Sequence, residues 1–308
     1  MRILVTGGAG FIGSNTADAL VEAGHEVSVI DDLSTGKAEQ VNPAARFYQM
    51  DIRDDGLAAV FDEGRFDAVY HLAAQVDVRK SVAEPAFDAQ VNICGSLNLL
   101  ENSRRTGVGR FVFISSGGTV YGEGLPDRSF VETDPIVPTS PYGIGKATVE
   151  KYLDYYHNTF GMTFITVRYA NVYGPRQDPH GEAGVVAIFA NYLLDGKTPR
   201  IFGDGLQTRD YVYVGDVVRA NLAVLEKSGN EAFNVGTGVR TDVVTLFEKM
   251  RAIVGWGGEA EFAPARTGEL QDSSLDYGKA ERVLGWRPQV DLDQGLANTV
   301  DFIKSQRG

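Results

Sequence analysis

Two side chains in this sequence are spaced for proton chemistry. Tyr142 is the one tyrosine of 13 with a lysine four residues further on, in Tyr142-Gly143-Ile144-Gly145-Lys146. On a helix this spacing puts both side chains on one face, one turn apart. An ammonium beside a phenol favours the phenolate and draws its pKa from roughly 10 toward neutrality. Tyr142 would then serve as a general base with Lys146 holding it charged. One such pair is about what chance supplies, so the spacing alone also fits an exposed helix pair.

A second group is built for phosphate. Thr6-Gly7-Gly8-Ala9-Gly10-Phe11-Ile12-Gly13 follows a β-branched run and opens a helical pattern, with glycines at 7, 10 and 13. Without Cβ atoms the turn can be tight and a pyrophosphate can approach the backbone, where the helix N-terminus supplies N–H donors. The second strand pattern ends at Asp31, whose carboxylate suits the hydroxyls of an adenosine ribose and would repel a 2′-phosphate. NAD is therefore expected rather than NADP. Asp32-Leu33-Ser34-Thr35-Gly36 continues as a polar turn suited to the same ribose, and Asp51-Ile52 is placed to bracket the adenine. The plainer reading of Asp31 is an ordinary acidic strand end.

The elements that must position these groups alternate along the chain. Short apolar runs (Ile3 to Thr6, Glu26 to Asp31, Ala68 to Leu72, Arg110 to Ser115, Thr163 to Arg168) are separated by helical patterns at Phe11 to Ala23, Pro85 to Thr106 and Tyr142 to Phe160. This is the pattern of βαβ units feeding a parallel sheet, whose ligands lie beyond the carboxyl ends of the strands. The fold class expected is α/β: a Rossmann-type doubly wound parallel sheet with a smaller C-terminal lobe. Residues 1–170 would form the dinucleotide-binding domain, with a return to it near 210–237. Residues 171–308, where loops lengthen and Gly, Pro and charge increase, would form mainly the substrate-binding lobe.

Composition narrows the partners. The chain has 308 residues, 43% of them hydrophobic, enough for a large core. A net charge of −12 disfavours nucleic acid. Cys94 is the single cysteine, so no internal disulfide forms, and its helical setting reads as an interior position. The opening Met1-Arg2-Ile3-Leu4-Val5-Thr6 runs straight into a strand, leaving no signal peptide or membrane span. The expectation is a cytoplasmic enzyme. His25, His71, His157 and His180 are scattered without metal-ligand spacing, so no metal is expected.

Taken together, the motifs resemble those of the extended short-chain dehydrogenase/reductases, and specifically the UDP-glucose (UDP-galactose) 4-epimerase family. The resemblance runs through TGGAGFIG at 6–13, the Asp31-Asp32 pair, HLAAQ at 71–75, Asn92, SSGGTVYG at 115–122, SPYGIGK at 140–146, RYANVYGPRQ at 168–177 and TRDYVYVGDV at 208–217. It implies that Gly7, Gly10, Phe11, Ile12 and Gly13 hold the NAD pyrophosphate, Asp31 to Gly36 the ribose, and Asp51 with Ile52 the adenine. Leu72, Ala73, Ala74, Gln75 and Asn92 would line the cofactor cleft. Ser115 and Tyr169 would lie near the nicotinamide, with Lys146 also on its ribose. Asn171, Arg209, Arg266, Glu269 and Ser273 would hold the UDP-sugar; Arg suits a diphosphate because its guanidinium is a fork. Helices 85–106 and 142–160 would pair in a homodimer.

The sequence departs from that family at one position. Where the family carries a Ser or Thr that bonds the reacting sugar hydroxyl, this chain has Gly117. Ser116 and Thr119 flank it and are the candidates for the missing hydroxyl. The loop also carries no carboxylate, unlike the sugar dehydratases and decarboxylases of the same fold, which favours simple epimerisation through a 4-keto sugar. A small residue at Ser273 implies room for N-acetylated sugars. Arg79 and Arg176 leave a uronate substrate as the alternative, and a non-catalytic nucleotide-binding protein is the other.

Overall fold

The computed structural model describes residues 1–125, 127–179, 184–266 and 270–307. Glu269 and His180 lie outside them. Seven strands form one parallel sheet: β1 (Arg2–Thr6), β2 (Glu26–Asp31), β3 (Arg46–Gln49), β4 (Ala68–His71), β5 (Arg110–Ser116), β6 (Phe164–Tyr169) and, after a long excursion, Glu231–Val235 at the edge. Their order across the sheet is Glu231–Val235, β6, β5, β4, β1, β2, β3. The chain thus reverses direction between β1 and β4, and the crevice at such a reversal is where dinucleotides bind.

Alternation along each strand explains why the runs are almost wholly apolar. Ile3 and Val5 face one hydrophobic core, shared with Ala17 and Leu20 of helix Phe11–Glu22 and with Val217, Ala220 and Val224 of helix Val214–Leu225. Leu4, between them, faces a second core with Val60 and Phe61 of helix Leu57–Gly64, Leu99 and Leu100 of helix Ser96–Thr106, and Val149 and Leu153 of helix Pro141–Phe160. Both faces are therefore covered, and most strand residues facing either of them are apolar. The Rossmann-type α/β class read from the sequence is the fold observed.

The lobe built on later residues has its own core. Strands β7 (Asn171–Tyr173), β8 (Arg200–Phe202) and β9 (Thr208–Tyr213) pair with two short strands, Arg240–Asp242 and Glu261–Ala263, in small separate sheets. Helices Val185–Leu194, Val243–Val254 and Leu292–Ser305 pack Phe189, Leu246, Met250, Leu296 and Val300 against Tyr173 and Tyr211.

One element differs from the expected continuous helix over 85–106. Helix Pro85–Ala89 passes into π-helical turns at Gln90–Gly95 before helix Ser96–Thr106. A wider turn changes the phase of the faces that follow, and such turns cluster at functional sites. Within it Asn92 is buried while Cys94 is exposed, so the interior position expected for Cys94 is corrected.

Candidate active site

The glycine turn is shaped by what its missing side chains would strike. Gly7 takes φ 71°, and a Cβ there would lie 2.6 Å from the Ala73 backbone nitrogen. A Cβ on Gly13 would collide with the Gly7 carbonyl oxygen, so the first helix turn sits directly on the loop. Asp31 closes the cradle from β2. Its Oδ2 accepts from the Ala9 N–H at 3.0 Å and its Oδ1 from the Leu33 N–H at 2.9 Å. The Lys37 N–H donates to Ala9 O at 2.9 Å, zipping the two turns together. Ser34 is exposed, its hydroxyl donating to Asp32 Oδ1 at 2.6 Å. Burial pushes the Asp31 carboxyl up, against the two backbone donors that pull it down.

These residues fit a dinucleotide. The cradle leaves backbone rather than side chain facing the space beyond the sheet, and Ser115 Oγ at the end of β5 is buried with no partner among the described residues. Leu72 N–H and Ala73 N–H donate to Thr6 O (3.1 Å) and Thr6 Oγ1 (3.2 Å), which aligns the 72–75 segment along the turn. Asp51 is held by Arg53, whose Nε reaches Oδ1 at 3.0 Å, and this side-chain bond holds the Asp51 carboxyl below its usual range. Ile52 beside it is buried.

The catalytic pair sits at the start of a helix whose beginning is written locally. Ser140 caps it, accepting from the Gly143 N–H at 3.2 Å, and Pro141 occupies the first turn. Tyr142 therefore falls in the first turn and Lys146 in the second. The Lys146 Nζ donates to Ile114 O at 2.9 Å and lies 5.8 Å from the Tyr142 ring centroid. Ser116, at the end of β5, lies close enough to the Tyr142 phenol to favour its ionised form.

The electrostatics differ from the expectation that Lys146 draws the phenol toward neutrality. Burial pushes the Tyr142 phenol up, the Asp88 carboxylate adds to this, and the Ser116 hydrogen bond opposes it. Burial likewise pushes the Lys146 ammonium down to about 8, against the pull of Asp88 and Glu150. Desolvation outweighs the proximity of the pair. The candidates for the hydroxyl missing at Gly117 also differ: Ser116 favours the ionised phenol, whereas Thr119 Oγ1 donates back to Ser116 O at 3.4 Å.

Two residues expected in the cofactor cleft are engaged elsewhere. The Tyr169 ring is buried in the core and its hydroxyl donates to Asn221 Oδ1 at 2.6 Å. Asn92 clamps the 72–75 segment, its Oδ1 accepting from the Gln75 N–H and its Nδ2 donating to Gln75 O, both at 2.9 Å. The Gln75 side chain in turn donates to Asp88 Oδ1 at 2.9 Å.

The sugar side is assembled from distant segments. A Cβ on Gly118 would lie 3.6 Å from Asn171 Oδ1 and 3.9 Å from Ser273 Oγ, so these residues meet around one small space next to the 116–119 turn. Arg266 is exposed and stacks over the Phe202 ring at 3.9 Å, and Arg209 Nη1 donates to Thr208 O at 2.8 Å. Glu269 falls among the residues not described. Sequence reasoning missed Asp210, whose buried carboxylate accepts from Thr237 N–H, Thr237 Oγ1, Gly238 N–H and Leu275 N–H and so holds this lobe beside Arg209. It also missed Asp88; in both cases a buried carboxylate has no local sequence signal.

Residues 3–236 match the description "NAD dependent epimerase/dehydratase family". The UDP-glucose 4-epimerase of Mycolicibacterium smegmatis is 48% identical over 312 residues, covering 99% of each chain. Among solved structures, the Thermotoga maritima UDP-glucose 4-epimerase with UDP-glucose superposes with a TM-score of 0.98 at 50% identity and full coverage of both chains. The Thermus thermophilus UDP-glucose 4-epimerase in complex with NAD gives 0.95 at 44% identity, covering 99% of each. A match of this extent, on a chain that carries the glycine turn after β1 and the Tyr142–Lys146 pair on one helix, makes this protein a member of the NAD-dependent epimerase/dehydratase family.

Proposed function

We propose that the protein is a UDP-sugar 4-epimerase that interconverts UDP-glucose and UDP-galactose through a transient 4-keto sugar. The observation that carries this reading is Tyr142 one helical turn from Lys146, with the Ser116 hydroxyl close enough to favour the phenolate. The named activities of the M. smegmatis, T. maritima and T. thermophilus relatives support it.

In this mechanism Tyr142, as phenolate, takes the proton of the sugar 4-hydroxyl, while Ser116 bonds the same oxygen and takes the place of the hydroxyl absent at Gly117. NAD, held by the glycine turn and Asp31, would supply a hydride acceptor for carbon 4 and, in its oxidised form, a positive charge favouring the phenolate. Lys146 orients the ribose and holds charge opposite the phenolate. The keto sugar then turns about its diphosphate link, carbon 4 would take the same hydride back on its other face, and Tyr142 returns the proton to the 4-oxygen. That turn would take place next to Gly118, Asn171 and Ser273. Asp31, Leu33 and the glycine turn hold the dinucleotide, and Arg209 with Arg266 the diphosphate.

The reading extends to UDP-GlcNAc and UDP-GalNAc, because the positions facing each other there, Gly118 and Ser273, carry small residues. A uronate is disfavoured by Arg176, which pairs with Asp18 at 2.6 Å. The reading also includes a cytoplasmic location and a homodimer through helix Pro141–Phe160. Among the described residues no helix is long and apolar enough to cross a membrane. On helix Pro141–Phe160, Tyr155 is 51% and Phe160 46% exposed, in edge contact at 5.8 Å. Incubating the protein with a panel of UDP-sugars and separating the products tests the activity. Interconversion of UDP-glucose and UDP-galactose without added reductant is expected; no 4-epimer from any sugar would overturn it.

A further inference from the structure

Asp88 stands out as a buried carboxylate whose side-chain partners among the described residues are neutral amides. It is 1% exposed, on helix Pro85–Ala89 just before the π-helical turns. Its Oδ1 accepts from Gln75 Nε2 and from Asn92 Nδ2, each at 2.9 Å. Its Oδ2 faces the helix that carries the catalytic pair: a Cβ on Gly145 would lie 3.4 Å from it. Residues 142, 145 and 146 share one face of that helix, so the carboxylate lies against the bare strip between Tyr142 and Lys146.

We infer that Asp88 is a positioning residue that acts through charge: it is the counter-ion that keeps the buried Lys146 protonated and sets the pH range in which the Tyr142–Lys146 pair works. The competing carboxylate is Glu150, one turn beyond Lys146, but it is committed to Arg168, with Arg168 Nη2 at 2.5 Å from Oε2 and Nε at 3.1 Å from Oε1. His71, which also faces Lys146, is buried with both ring nitrogens bonded, to Thr6 Oγ1 at 2.9 Å and Ser96 Oγ at 2.8 Å, and burial holds it neutral. On the outer side of the 85–89 helix, Lys80 and Arg53 stack on the Phe87 ring. Asp88 thus supplies the negative charge for the ammonium. Its electrostatic influence falls on both members: it raises Tyr142 and Lys146 alike.

The inference rests on the epimerase reading for its functional consequence but not for its test. In Asp88→Asn the charge is lost while a carbonyl oxygen remains to accept from Gln75 and Asn92. With ¹³Cζ-labelled tyrosine, the Tyr142 resonance, assigned by its loss in Tyr142→Phe, is expected to titrate at lower pH in Asp88→Asn than in the wild type. Both limbs of the kcat profile are expected to move down by roughly one pH unit. An unmoved tyrosine titration, or a loss of activity equal at all pH values, would show a merely structural role and overturn the inference. Should Asp88→Asn not fold, Asp88→Ser carries the same expectations. An inactive wild type that still shows the shifted titration would reject the epimerase reading and leave the electrostatic one standing.

Discussion

Gly117 and Leu275 occupy the same space by turns: a Cβ on Gly117 would lie 2.5 Å from Leu275 Cδ1. Leu275 is fully buried, packs with Val120, Tyr121 and Phe130, and is tied by its N–H to Asp210 Oδ2 at 3.1 Å. It cannot retreat freely, so a side chain at 117 is excluded by packing across the lobe boundary. Gly117→Ser is accordingly expected to destabilise by about 1–3 kcal/mol and to lower kcat. Combining it with Leu275→Ala should recover activity toward wild type, as read by denaturant melts and a product assay. A Gly117→Ser variant with full activity and stability would mean that Leu275 moves aside at no cost.

Removing the phenolic oxygen leaves the ring and its packing in place. Tyr142→Phe should lower kcat by about 10²–10⁴-fold with NAD content unchanged after gel filtration. Ser116→Ala should reduce kcat more than Thr119→Ala, since Ser116 is the hydroxyl on the phenol. Equal, small effects of the two would remove Ser116 from the mechanism.

The Lys146 ammonium, pushed down by burial to about 8, fixes the sign of a pH effect. The charged form is lost as pH rises through that value, so activity should fall on the alkaline side from near pH 8. Folding carries the opposite sign: the unfolded lysine holds its proton to higher pH, so the cost of burying the charge is present below about pH 8 and is relieved between there and roughly pH 10.4. Lys146→Met should therefore melt at higher temperature than wild type at pH 7, with the gap closing toward pH 10, while kcat drops by at least about 100-fold.

Asp31 combines a structural and a recognition role. In Asp31→Ala the Ala9 and Leu33 N–H groups lose a charged acceptor, a change that costs about 1.5–3 kcal/mol per bond. NAD affinity measured by calorimetry should fall at least about tenfold, and preference over NADP should narrow. Retention of the full preference would show that another group reads the ribose.

Gly118 borders the space where the sugar is proposed to turn. Gly118→Val should slow UDP-GlcNAc turnover more than UDP-glucose turnover, because the added methyls project toward Asn171 and Ser273. A uniform change in both would place the N-acetyl group elsewhere.

Much of this site is legible in the chain because its logic is local. The glycine turn, Asp31 at a strand end, and the capped helix carrying Tyr142 and Lys146 each depend on residues within a few positions of one another, where backbone geometry follows from residue type. The alternating apolar runs likewise specify a sheet covered on both faces. Packing between remote segments decided the rest. Asp88 meets the helix of Lys146, Leu275 blocks Gly117, and Asn221 captures the Tyr169 hydroxyl only because the sheet and the two lobes bring them together. The direction of the Tyr142 pKa belongs to this second class: spacing places an ammonium nearby, but desolvation depends on every atom that excludes water, and that sum exists only in the folded protein.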